Sequence, residues 1–512
     1  MATADTAEPL FDPHSVTEID MQLPQESMDE LAADPEEYVD ATLAFQIGDD
    51  EHGPYAVGVR LKGGTGSFRP LTGKAAFKLK FNHSVSGQRI LGLKKLTLNN
   101  MIQDRGMIQE TLSYAAFRAA GVPAPRTGFA FVRVNGTAYG VYLNVETLDD
   151  VALPRFFPST GHLYEGESGA DVEPGEAELF EVDEGDEDDR ADLEALIAAA
   201  GPGLGDWSER AEGLADLDEM TRMWAVEKYI GHWDSYAGTQ DPLHPNNYYL
   251  HSDESGLFSM LPWGTDQTWA NRRAFGGPGG VLFNACLADA SCLQMYQDAV
   301  RDAADAVATI GVDEEATFLA SFLAPWQAQD PRKESTAEQA AAAVQRLREF
   351  AAGRPGDVAA WLPDPPDDGE EPPPSGGGGG GGGGGEAPPA HRAAPVLVPS
   401  PVGEEPLIVK GARTSARVVT LRLGLAGGGR VRVRGTARLG GAMHTACTAK
   451  ATRATAADLT LRCRLNAAAR RALRKRSLAL RLRTWFAPDQ ARPVADVRRL
   501  TVRRSAKLVA RP

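Results

Sequence analysis

The chain is poor in cysteine, lacks any long apolar run, and opens on residues unlike a signal peptide. Four cysteines in 512 residues exclude a disulfide-dense mini-protein and a paired CxxC zinc ribbon. No stretch approaches the roughly twenty consecutive apolar residues of a membrane helix. The opening MATADTAEPLFDPHS lacks the basic and apolar regions of a signal peptide. That predicts either a cytosolic protein or one whose export signal is not part of this sequence. Hydrophobic residues at 42% and charged ones at 24% can bury ordinary cores and exclude global disorder, and the length fits two to four domains.

The net charge of -17 conceals a division. Residues 401–512 carry 26 Lys and Arg against 5 Asp and Glu, a surplus of 21. The first 400 carry 27 against 65, a deficit of 38. An acidic body with a basic tail predicts that the tail prefers anionic partners: nucleic acid, a membrane surface, a cell-wall polyanion, or the body itself.

The sharpest boundary is PDPPDDGEEPPPS followed by ten glycines, Gly376 to Gly385, and EAPPAHRAAP. Proline stiffens, polyglycine is costly to order, and neither builds a core. Residues 363–395 therefore read as a disordered linker between a large unit, 1–362, and a smaller one, 396–512. In the smaller unit apolar residues alternate with Arg, as in ARVVTLRLGL and SLALRLRTWF. This predicts a small, mostly-β sandwich with basic outer faces, interrupted by one helix at 466–476. Cys447 with Cys463, and Cys286 with Cys292 in CLADASC, are candidate disulfides, which would suit an oxidising compartment.

The large unit reads as α+β. Strands are expected at 55–62, 75–82, 94–99, 127–135 and 138–146, with Asn135–Gly136 as a hairpin turn between the last two. Helices are expected at 106–120, 189–200, 216–231, 290–310, 313–325 and 335–352. The acidic run EVDEGDEDD (181–189) lacks the spacing of a calcium loop and reads as solvated.

Chemistry concentrates in residues 225–269. A helix ends near Gly231, His232-Trp233-Asp234 follows, then Asn246-Asn247, a YYLH strand, a turn, a returning LFSMLPW strand, and Asp266. Phosphoryl transfer needs such a set. One carboxylate orients the attacking hydroxyl, while an amide oxygen and a second carboxylate hold the metal that bridges the phosphates. Protein kinases arrange these parts as H-R-D-x-x-x-x-N, a short hairpin and D-F-G. Upstream, VRLKGGTGSF (59–68) is a strand entering a glycine-rich turn, whose Gly63, Gly64, Gly66 and Ser67 could approach phosphates. In GKAAFKLKF, Lys78 or Lys74 would face the cleft as the phosphate-binding cation. Glu110 is a candidate partner for that lysine, and Glu146 leaves the sheet near the expected hinge. His232 has no second His or Cys at zinc spacing, and no G-x-S-x-G supports a hydrolase.

The blocks VRLKGGTGSF…KAAFKLKF, LTLNNMIQDRGMIQETLSYAAFRAAGVPAPRT, VRVNGTAYGVYLNVETLDD and HWDSYA…NNYYLH…GLFSMLPWGTDQTW together resemble the CotH kinase family, over residues 10–350. The resemblance implies a bilobal, atypical protein-kinase-like domain, secreted or surface-associated, that transfers the γ-phosphate of ATP to Ser or Thr of coat or surface proteins. It maps the catalytic acid to Asp234 and the metal ligands to Asp266 and Asn247, with Asn246 as competitor, for Mg²⁺ or Mn²⁺. Lys78 would be the nucleotide lysine. The family often carries an acid where this chain has Gly264, in Trp263-Gly264-Thr265-Asp266; losing that carboxylate would weaken the metal site. The rival expectation is an inactive kinase scaffold or adhesin held to the surface by its basic domain. The basic unit would bind an anionic envelope polymer. Nucleic acid ranks last, because the Arg-rich strands lack a base-stacking aromatic motif.

Overall fold

A computed structural model describes residues 6–64, 66–166, 169–201, 206–239 and 245–362. It also describes 407–502 apart from 415–417, 440–441, 454, 456, 466, 476 and 489–493. The expected linker lies outside the described residues, and the acidic and basic units are taken in turn.

Seven strands of the N-terminal part close into a barrel: β1 (Val16–Gln22), β2 (Val39–Ile47), β3 (Asp50–Lys62), β4 (Ala76–Lys80), β5 (Lys95–Asn99), β6 (Thr127–Val134) and β7 (Thr137–Val145). Their order is β1-β2-β3-β4-β5-β7-β6, and β1 returns parallel to β6 to close it. Period-two alternation sets the inward face. Val57, Val59 and Leu61 of β3, Phe77 and Leu79 of β4, and Leu96 and Leu98 of β5 share one buried core. The opposite face of β3 and β4 is left to Arg60, Lys62, Lys78 and Lys80. Strands β6 and β7 are buried on both faces, because Phe129, Phe131, Val141 and Leu143 join a second, larger core. Their near-continuous apolar sequence follows from that. The Asn135–Gly136 turn has φ of 49° and 75°, the left-handed pair that a two-residue hairpin requires.

The second core is built on helices: α2 (Gln109–Ala119), α3 (Ala191–Ala200), α4 (Trp207–Arg210), α5 (Leu217–Tyr229), α6 (Val281–Ala288), α7 (Ala290–Thr309), α8 (Val312–Ala328) and α9 (Ala337–Trp361), with α1 (Gln25–Ala33) lying against the barrel instead. A four-stranded sheet completes it: β8 (His162–Gly166), β9 (Phe180–Glu184), β10 (Tyr248–Ser252) and β11 (Phe258–Pro262), in the order β11-β10-β8-β9. Caps appear where the sequence offers them. Asp216 accepts from the Glu219 N–H to start α5, and Thr336 and Gln339 form a capping box for α9. A disulfide joins Cys286 to Cys292 across the α6–α7 turn.

Three expectations need correction. The acidic run at 181–189 is not wholly loop, since its first residues form β9, pairing with β8. The last helix does not stop at 352 but runs to Trp361 through Pro355. Buried Arg354 holds it there, donating to the carbonyls of Tyr229 and Lys228 at 2.8 Å each; tertiary bonding overrides the local helix-breaking signal. And β1 and β2, which were not expected, supply two of the seven barrel strands, with α1, also not expected, packed against β2.

In the C-terminal part, β12 (Leu407–Thr414), β13 (Val418–Leu425) and β16 (Ala457–Arg464) form one sheet. β14 (Gly429–Leu439), β15 (Ala442–Arg453), β17 (Leu478–Pro488) and β18 (Val494–Val502) form another. Their apolar faces share a core with α10 (Ala467–Lys475), and the Cys447–Cys463 disulfide ties β15 to β16. Among the described residues no helix is long and apolar enough to cross a membrane.

Candidate functional site

The segment after α5 is wound tightly. The His232 N–H bonds to the carbonyl of Glu227 at 2.8 Å, and Ser235 Oγ donates to the His232 carbonyl at 2.8 Å. Glu227 Oε2 accepts from the Ala237 N–H at 2.7 Å. A Cβ on Gly238 would lie 1.7 Å from the His232 carbonyl oxygen, so only glycine permits this turn. Asp234 is presented at its apex.

The β10–β11 hairpin pairs Tyr248 with Pro262, bringing the residues on either side to one end of the sheet. The Trp263 N–H bonds to the carbonyl of Asn247 at 3.0 Å. Asn247 Nδ2 donates to the Asp234 carbonyl at 2.7 Å and to Asp234 Oδ2 at 3.1 Å. Asn246 Nδ2 donates to the same Oδ2 at 3.1 Å. The two amides thus orient one carboxylate. Gly264 has φ of 55°, and a Cβ there would meet Asn247 Oδ1 at 2.3 Å. The missing acid before Asp266 is therefore no simple loss: the Asn247 amide oxygen occupies the space that a side chain at 264 would need.

His232 locks the two acidic turns together. It is fully buried, and its Nε2 lies 3.2 Å from the Gly264 carbonyl. Burial pushes its pKa down to about 4. The ring is neutral at physiological pH and donates through Nε2, since a carbonyl can only accept. Its role is structural clasp rather than metal ligand.

Helix α2 closes the third side. Asp104 Oδ2 accepts from the N–H groups of Gln109 and Glu110, at 2.7 and 3.2 Å, which fixes the helix start. Gln109 donates to the Thr268 carbonyl, and Ser113 Oγ lies 2.7 Å from Thr268 Oγ1. The helix bearing Glu110 is therefore bonded to the segment bearing Asp266.

The cation comes from a residue that sequence reasoning missed. Lys62, not Lys78 or Lys74, reaches toward Glu110. Strand register explains why. Lys62 pairs with Ala76, and Asn99 lies one row beyond the Phe77–Leu98 pair. With only a methyl group between them, the Lys62 ammonium lies across the row and donates to Asn99 Oδ1. Asn99 Nδ2 in turn donates to both Glu110 oxygens, at 2.8 and 2.9 Å. Lys78 sits two rows away, opposite Arg60 and Thr97, on the same face. The register could have singled out Lys62; period-two alternation alone could not.

Electrostatics mark this cluster. Burial pushes the Lys62 pKa down to about 8, opposed chiefly by the charge of Glu110 and with Asp266 also acting on it. Burial and the Glu110 charge push Asp266 above the usual carboxylate range, with Asp234 adding to the effect. Burial raises Glu110 likewise, and Lys62 opposes the shift. Asp104 is pushed up to about 7, again mainly by burial. Several carboxylates crowd one lysine, an imbalance of the kind found at functional sites. A divalent cation fits it: hard, oxygen-seeking, and able to draw on Asp266 and Asn247 Oδ1 with the rest of its shell from phosphates. Among the described residues no group of three or more His, Cys, Asp or Glu could hold a metal without such help.

Two expected residues lie elsewhere. Lys74 is buried against Asp330 at 2.5 Å, and Asp330 also accepts from the Val141 N–H at 3.0 Å and the Arg332 N–H at 2.8 Å. Its charge is fully used in joining the barrel to the α8–α9 connection. Glu146 is paired with Arg126 Nη2 at 2.9 Å and with Arg155, so it serves the end of β7 and not a nucleotide. The glycine turn follows Lys62 directly. Gly63 and Gly66 have φ of 117° and 86°, while the Gly64 N–H already bonds to Ser67 Oγ at 3.1 Å. Ser67 thereby braces the turn.

Comparison with known proteins identifies a family. A family model described as CotH kinase protein matches residues 59–357, which take in Lys62, Glu110, Asp234 and Asp266. Inner spore coat protein H of Bacillus subtilis (strain 168) is 26% identical over 195 residues, 35% of this chain and 51% of that protein. An Inner spore coat protein H-like protein of the same organism is 33% identical over 73 residues, 14% of this chain and 22% of that protein. The matches thus span about half or less of these relatives' lengths. The chain belongs to the CotH kinase protein family.

Proposed function

We propose that this protein is a metal-dependent protein kinase that transfers the γ-phosphate of ATP to a Ser or Thr hydroxyl. The observation that carries the reading is the convergence of Asp234, Asp266, Lys62 and Glu110 from four separate segments, two of them clasped by His232. Asp234, aimed by Asn246 and Asn247, would accept a hydrogen bond from the acceptor hydroxyl and align its oxygen for in-line attack. Its proton would pass to the Asp234 carboxylate as the new O–P bond forms and the β–γ bridge breaks, leaving ADP. Lys62, held by Asn99 and Glu110, would bind phosphate oxygens. Asp266 and Asn247 would hold Mg²⁺ or Mn²⁺, which when bound neutralises charge building on the β- and γ-phosphates.

Kinship with spore coat proteins supports acceptors and a location at a coat or cell surface. The two disulfides suit such an oxidising setting. The rival, an inactive scaffold, rested on the absent acid at 264 and on the long linker, and the Asn247 oxygen in the space at 264 weakens the first of these grounds.

The test is transfer from labelled ATP with Mg²⁺ or Mn²⁺ by wild type, Asp234→Ala and Asp266→Ala. Labelling of the protein itself or of a Ser-rich substrate, falling at least about a hundredfold in both variants, would support the reading. Labelling that survives both would place the chemistry elsewhere. No labelling and no metal-dependent ATP binding by wild type would favour the scaffold.

A further inference from the structure

The C-terminal sheet β12-β13-β16 has one sealed face and one open one. Val419, Leu421, Leu423, Leu459, Leu461 and Cys463 point into the core. On the other face register sets out a lattice: Arg413 opposite Thr420, Thr420 opposite Arg462, Arg422 opposite Thr460, and Val418 opposite Arg464. The four arginines are exposed. The single carboxylate among the described residues of these strands, Asp458, pairs with Lys410. The surplus of 21 positive charges after residue 400 thus includes a patterned surface of guanidinium groups that have no carboxylate partner among the described residues.

We infer that this face is a docking surface for a linear phosphodiester polymer without bases, of the polyol-phosphate kind. Three features select that partner. Guanidinium groups match phosphate in a planar, two-toothed geometry, and the threonine hydroxyls between them add neutral donors. Alternate residues along a strand lie about 7 Å apart and neighbouring strands about 5 Å, so Arg462 and Arg464 can meet successive phosphates of an extended chain. No Phe, Tyr or Trp occurs in these three strands, so the face offers no platform for bases and reads backbone alone. The Cys447–Cys463 bond ties β16 to the opposing sheet, which keeps the lattice rigid before binding and lowers the ordering cost. The inference stands independently of phosphoryl transfer: a scaffold without kinase activity would carry the same surface.

The experiment measures binding of the full chain to poly(glycerol phosphate), a base-free phosphodiester, to polyglutamate and to duplex DNA, matched in charge, across a salt series. Arg422→Gln/Arg462→Gln is compared with Arg470→Gln/Arg471→Gln, which removes equal charge from exposed positions on α10; thermal melting checks that both fold. Poly(glycerol phosphate) should bind most tightly. The sheet variant should weaken it about tenfold and reduce the log–log salt slope by about 2, while the helix variant changes affinity less than about threefold. Equal losses in the two variants would overturn the placement on this face. Tighter binding of DNA would overturn the partner in favour of nucleic acid, and tighter binding of polyglutamate would overturn it in favour of acidic protein.

Discussion

Two lysines flank the glycine-rich turn, Lys74 buried and Lys62 half-buried, and they live in opposite electrostatic worlds. Lys74 faces Asp330, whose oxygens are otherwise filled by the N–H groups of Val141 and Arg332. A Cβ on Gly140 would lie 2.0 Å from the Asp330 carboxyl carbon, so the backbone itself is shaped around the pair. Lys62, by contrast, faces Glu110 and Asp266 with further acids behind them. A buried charge with one well-fitted partner is a joint; a buried cluster out of balance is a place prepared for another charged group.

The contrast can be broken by substitution. The largest effect on stability belongs to Lys74→Met. It strands Asp330 as an unpaired buried charge and should cost about 3–5 kcal/mol, read by denaturant unfolding, while the molecules that remain folded keep phosphotransfer. Lys62→Met should do the reverse. Removing a desolvated cation beside protonatable acids leaves the melting temperature within a few degrees of wild type, while transfer falls at least about tenfold. Should both variants lose stability and activity in the same proportion, the distinction between joint and site fails.

Gly264→Ala sharpens the comparison from the site side. The left-handed backbone and the 2.3 Å approach of Asn247 Oδ1 mean that a single methyl must displace the amide or flatten the turn. A loss of about 1–3 kcal/mol and a fall in metal-dependent ATP binding are expected. Unchanged metal dependence would show that Asn247 is not a ligand.

The last effect concerns a buried carboxyl that carries no charge in the folded state. Glu219 on α5 accepts from the Met260 N–H at 2.9 Å, and burial pushes its pKa up to about 8. The folded state therefore holds a proton that the unfolded chain releases near its ordinary value of about 4. Stability from this group is present at low pH and declines as pH rises from there toward 8. Glu219→Gln keeps the acceptor and should flatten that decline, most visibly between pH 6 and 8 in thermal melts. An unaltered pH profile would mean that Glu219 is charged in the native state.

Much of the candidate site was legible because its signals are local. Asp234, Asn247 and Asp266 are set by a helix end, a hairpin and a turn that the sequence spells out, and the hairpin alone suffices to bring two of them together. What was not legible depends on pairing between distant strands. Choosing Lys62 over Lys78 requires knowing that Ala76 and Asn99 share its row, and alternation gives parity without register. The fate of Lys74 depends on Asp330, 256 residues away. Strands β1 and β2 escaped notice because VTEIDMQ and VDATLAFQI alternate with acids and short polar residues, and the closing parallel pair with β6 has no local mark. The glycine at 264 looked like a missing ligand in one dimension and in three is a position with no room for a side chain.

The most direct measurement is ATP binding by titration calorimetry in the presence and absence of Mn²⁺, on wild type, Lys62→Met and Lys74→Met under conditions where each is folded. The expected result is metal-dependent binding by wild type and Lys74→Met, and its loss in Lys62→Met. Wild-type affinity in Lys62→Met, or a loss confined to Lys74→Met, would contradict the assignment of the nucleotide lysine and of the cleft built around it.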